Sequence, residues 1–237
     1  MIGYATDFAQ IETLPPEQSG RILSARSMVI IRALNKVSPL IFIAAVGLLI
    51  WGGMPRESGQ SVFLPCLFAS IVLMVFAALL SMRDVKNRWL RYVARREIRR
   101  RADSLVDPDA TDLRFVEIVP KSNWDVRGLP ENATDVGFLA FDFQARILLF
   151  EGDRERYRIP AGALIDFRQD SYSRSVTLDK YGAKQQIGFY FVVVRVRISD
   201  DKFIEIPFRI RISDGLFTDK RQRDGNAEFL KDMERLK

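Results

Sequence analysis

The chain contains no histidine and a single cysteine, Cys66. A Ser-His or Cys-His catalytic pair, a Cys/His metal site and an intramolecular disulfide are therefore excluded. Most common hydrolase designs close with them, and only carboxylate, lysine or carboxylate–metal chemistry stays open. The phosphate-cradling glycine motifs GxxxxGK[ST] and GxGxxG are also absent. Arg96 and Arg100 supply an RxxxR inside an arginine run, but the DxSxxG that would complete a cyclic-dinucleotide receptor does not follow. Asp107, Asp109 and Asp112 lack the glycine and closing glutamate of an EF-hand loop and read as turn and helix-end chemistry. No cofactor or metal is expected.

Charge is missing in two places. Val37–Met54 and Ser61–Met82 hold no Asp, Glu, Lys or Arg. At 1.5 Å per helical residue each stretch reaches roughly 30 Å, the thickness of bilayer hydrocarbon. Pro65 falls in the first turn of the second stretch, where it does little harm. The short polar link 55–60 makes the two helices antiparallel neighbours. Arg21, Arg26, Arg32 and Lys36 precede the pair, and an arginine run follows it. By the positive-inside rule this predicts a two-span hairpin with both termini cytoplasmic. Small residues on the spans, Ala44, Gly47, Ala69 and Ala77 among them, would permit close helix packing.

Basic charge is concentrated rather than general. Residues 1–54 carry four basic and three acidic side chains, 55–60 one of each, Arg83–Arg101 nine and two, and 102–237 22 and 24. The high pI belongs to one segment, and nucleic acid is not an expected partner. Residues 83–106 read as a basic juxtamembrane helix. Trp89 and Tyr92 suit a headgroup layer, and Arg88, Arg91, Arg95 and Arg99 are candidate anionic-lipid contacts. Residues 1–36 read as an N-terminal segment: a weakly ordered start to residue 19, then at 20–36 either an interfacial helix or an extension of the first span.

From residue 107 the pattern turns to period two. Strands are expected at Leu113–Val119, Val136–Asp142, Arg146–Glu151, Arg154–Ile159, Leu164–Gln169, Ser175–Leu178, Ile187–Ile198 and Lys202–Ile212, with a C-terminal helix at Asn226–Leu236 capped by Asn226. The last hairpin is expected to set Arg197 across from Glu205 and Ser199 across from Phe203, leaving Arg195, Arg197, Arg209 and Arg211 on a wet face. Trp124 is read as a cap on the sheet. Glu151, Asp153 and Glu155, alternating with Arg154, Arg156 and Arg158, are read as cross-strand pairs.

The segment Gly137–Phe167, through Asp142, Arg146, Gly152, Ile159, Pro160 and Ile165, resembles the bacterial pleckstrin-homology-like (PH-like) repeat. The resemblance implies a membrane α-hairpin (two transmembrane helices, 37–54 and 61–82) followed at 107–237 by an all-β PH-like barrel or sandwich of about seven antiparallel strands capped by a C-terminal helix. It also implies a multi-pass protein of the bacterial inner membrane. The expected function is that of a non-catalytic accessory or scaffold subunit. Its partners would be membrane lipids and other transmembrane subunits, and homo-oligomerisation stays open. The alternative is an anionic-lipid-sensing membrane module.

Overall fold

The computed structural model describes residues 7–54, 63–81, 83–124, 132–177, 184–211 and 218–237, with side chains at all of these except 34–39, 79–81, 83–86, 174–177, 184–187 and 218–221. The chain divides into two compact units. One comprises the described residues of Met1–Leu23, Arg91–Ile212 and Leu216–Lys237, the other those of Ser24–Leu90.

Among the described residues the smaller unit holds α1 (Ala25–Gly53), α2 (Phe63–Ser81) and the N-terminal part of α3 (Arg83–Arg99). The Ser24 hydroxyl accepts the Ser27 N–H and so caps the start of α1. From there α1 runs unbroken, so 20–36 is not a separate helix. Gly52, at the end of α1, lies against Cys66, at the start of α2; a β-carbon on Gly52 would stand 2.4 Å from that of Cys66. The two helices are thus antiparallel. Ala45, Cys66, Ser70 and Ala77 are buried on their closed sides.

The expectation of two membrane spans is not met. Among the described residues no helix is long and apolar enough to cross a membrane. The transmembrane hairpin and the multi-pass inner-membrane localisation that followed from it are both corrected.

The larger unit is a single antiparallel sheet. In chain order its elements are β1 (Gln10–Thr13), the C-terminal part of α3 (Arg83–Arg99), β2 (Arg114–Ile118), β3 (Asp135–Asp142), β4 (Ile147–Gly152), β5 (Glu155–Pro160), β6 (Leu164–Thr177), β7 (Lys184–Ser199), β8 (Lys202–Ile210) and α4 (Thr218–Leu236). The strand order is β1-β5-β4-β3-β2-β8-β7-β6. Among the described residues eight strands replace the expected seven or so, with β1 and β6 at the two ends of the order. The extra strand, β1, comes from the segment expected to be weakly ordered and pairs with β5. The two strands expected at Leu164–Gln169 and Ser175–Leu178 are one, β6.

Period-two alternation assigns the faces. Val116, Leu139, Leu148, Phe150, Ile159, Val192, Val194 and Phe208 join Phe229, Met233 and Leu236 of α4 in one core. Strands from both ends of the order share this core, so the sheet is curled around it. Within the β3–β4 pair, Gly137 and Gly152 are cross-strand partners. A β-carbon on Gly137 would lie 2.0 Å from the Glu151 carbonyl oxygen, so no larger residue fits without backbone movement.

The β7–β8 register differs from expectation by two residues: Glu205 faces Arg195, and Phe203 faces Arg197. A two-residue slip keeps every side chain on its own face, so hydrophobic alternation could not distinguish the two registers. The tighter closure, Ser199 opposite Lys202 with an irregularity beside it, decides between them. Asn226 is not a helix cap either. Helix α4 begins at Thr218, and Asn226 lies on its buried face.

Candidate functional site

The outer face of the sheet carries buried charge. Glu151 on β4 is fully buried, between two guanidinium groups. Arg101 donates to its Oε1 at 2.6 Å and Arg156 at 2.9 Å, while the Leu105 N–H donates to Oε2 at 3.0 Å. Arg101 also reaches the Gly152 and Gln18 carbonyls, at 2.7 and 3.1 Å. Arg156 is bidentate to Asp103, at 2.6 and 3.0 Å, and holds that carboxyl down to about 2. Segment 101–106, just beyond α3, is thereby fixed over β4 and β5.

Next to this centre the N-terminal arm is tied down. The Asp153 carboxylate accepts the Ile22 and Leu23 N–H groups at 2.7 and 2.9 Å. Asp135 is buried beneath the β4–β5 turn and accepts N–H bonds from Val136, Asp153, Arg154 and Glu155. Burial pushes its carboxyl up to about 7, against the opposing pull of those N–H bonds.

A cavity of about 330 Å³ opens on the same face. Its floor consists of two neighbouring cross-strand rows, Gln10–Arg158–Leu149 and Pro160–Ile147–Asp142. Ser104 and Leu105 form its roof. The centre at Glu151 lies one row further along and holds that roof in place.

A second buried group sits on β2 and β8. Glu117 pairs with Arg209 at 2.5 Å and Arg211 at 3.2 Å, and Arg209 also donates to the Asn132 Oδ1 at 2.8 Å. Arg209 and Arg211 are thus buried, not on a wet strand surface as expected. Trp124 is buried as well, stacked on Phe191 with ring centroids 4.2 Å apart.

The basic residues expected to meet anionic lipid are largely committed to the sheet. The Arg91 guanidinium lies 5.7 Å from the Phe115 ring centroid and that of Arg95 lies 5.9 Å from Phe138, both cation–π contacts. Burial, with Arg95 beside it, lowers the Arg91 pKa. Arg99 is bidentate to Asp109, at 2.5 and 3.2 Å. Arg88 and Tyr92 are exposed and Trp89 is half-buried. Of the small residues expected at helix contacts, Ala77 is buried and Ala69 partly so, while Ala44 and Gly47 face outward.

The acid–arginine alternation around the β4–β5 turn pointed to pairing, and Glu151–Arg156 is such a pair. Arg101 and the cavity were not anticipated. The available signal was the run Ile147-Leu148-Leu149-Phe150, apolar on both faces, which marks a strand covered on both sides.

Comparison with protein-family models, with curated proteins and with solved structures finds no match.

Proposed function

We propose that this protein is a non-catalytic binding subunit that joins a protein assembly through its helical pair and carries a PH-like domain. The carrying observation is the apolar surface of α1 and α2. Leu64 is 73 % exposed, Phe68 71 %, and Leu40 and Ile43 64 % each, with Ile71 and Phe76 also open. Large apolar side chains left this open along two neighbouring helices are what an interaction surface presents. On α1 the exposed positions Leu40, Ile43, Gly47 and Ile50 recur at helical spacing, and a β-carbon on Gly47 would meet nothing within 4 Å. That stripe suits close approach by another uncharged helix. The PH-like reading is supported by the meander β2–β5, the second meander β6–β8 and the closing helix α4.

The lipid-sensing alternative is weakened because Arg91, Arg95 and Arg99 already hold partners within the domain. Native mass spectrometry of the full chain tests the proposal. The expected result is an assembly of fixed stoichiometry that Phe68→Glu or Ile71→Glu dissociates and Arg195→Glu leaves intact. A monodisperse monomer, or sedimentation with phosphatidylcholine vesicles in place of protein, would overturn it.

A further inference from the structure

The cavity over β4 and β5 has the features of a ligand site, and they follow from register. Leu149 and Ile147 point outward from β4 and give it an apolar floor. At one end stand Gln10 and Arg158. The Arg158 side chain is exposed and, among the described residues, has neither a hydrogen bond nor an ion pair. Arg101 and Arg156, on the neighbouring row, are by contrast committed to Glu151. At the other end is Asp142, whose Oδ1 already accepts the Gln144 and Ala145 N–H groups at 3.0 and 2.9 Å. The roof cannot drift, because the Leu105 N–H is held by Glu151 and the Ser104 hydroxyl donates to the Val106 carbonyl at 2.8 Å.

We infer that this cavity binds a small carboxylate with an apolar body, the carboxylate paired with Arg158 and the tail lying over Leu149 and Ile147. A volume of about 330 Å³ lies at the lower end of the range for small-ligand pockets. The uncommitted charge is a guanidinium, which takes a planar carboxylate through two parallel N–H bonds. Gln10 beside it supplies an amide N–H to the same group. The Asp142 carboxylate at the far end disfavours the reverse orientation.

Calorimetric titration of the full chain with octanoate tests the site, with octylamine and 1-octanol as controls. Octanoate is expected to bind at one saturable site, with no matching binding of either control. Arg158→Gln is expected to weaken octanoate about tenfold or more without changing the melting temperature, since its side chain is free. Ala145→Trp, at an exposed position on the cavity wall, is expected to abolish binding by filling the space. Equal binding by octylamine or octanol would overturn the inference. So would unchanged affinity in Arg158→Gln or Ala145→Trp, or no saturable binding at millimolar octanoate. None of these outcomes bears on the helical pair, so this site stands or falls separately from the proposed assembly.

Discussion

Asp135 illustrates how much one side chain can set the pH behaviour of this protein. Its folded carboxyl is pushed up to about 7 from an ordinary 3.8, chiefly by burial. The folded state therefore holds the proton more tightly than the unfolded chain does. Stability contributed by this group is full below about 4 and falls as pH rises toward 7, by on the order of 1 kcal/mol per pH unit. The chain has no histidine to obscure that window. Urea denaturation at pH 5 and pH 7.5 should show wild type losing stability across the interval and Asp135→Asn nearly flat. At the same scale, Gly137→Ala should cost about 3 kcal/mol in that assay, because the added methyl meets the Glu151 backbone rather than a movable side chain.

Elements are held by a few polar anchors placed where strands turn. Arg146 closes the β3–β4 turn with a φ of 54°, a left-handed conformation that costs a non-glycine residue roughly 1 kcal/mol. Its guanidinium donates to the Leu236 carbonyl at 3.3 Å and to that of Lys237, at the negative end of α4. Arg146→Ala should retain the strain and lose both bonds, costing about 1 kcal/mol. Arg146→Gly relieves the strain and should cost less. Hydrogen exchange in the last turn of α4 should speed up in both. Glu151→Gln is the more severe change. It leaves the buried Arg101 guanidinium without its counter-charge and Arg156 with Asp103 alone, at a cost of about 3–5 kcal/mol. Exchange at the Leu105 N–H, which that carboxylate holds, should rise with it.

The same contrast explains what was legible in the sequence. Strands β2 to β5 and the hairpin β7–β8 could be read because alternation and turn residues are local signals. Strand β1 could not: its four residues are all exposed, and it exists by pairing with β5. The β7–β8 register was hidden because a shift of two preserves both faces. Within the candidate site, Glu151 and Arg156 lie five residues apart and could be paired from the sequence. Arg101 is fifty residues from Glu151, and only the fold brings them together.

For the whole molecule, lack of charge showed where apolar surface would be concentrated but did not identify its neighbour. The stretches at 37–54 and 61–82 predicted bilayer spans, and among the described residues no helix is long and apolar enough to cross a membrane. What stays exposed on α1 and α2 is apolar surface, and the cover proposed for it is other protein. Photo-crosslinking from two positions in the intact protein tests this most directly: Phe68, 71 % exposed on α2, and Phe143, 39 % exposed on the sheet unit. Discrete protein–protein adducts are expected from Phe68 and none of these from Phe143. Absence of protein adducts at Phe68, or the same adducts from both positions, would contradict the proposal.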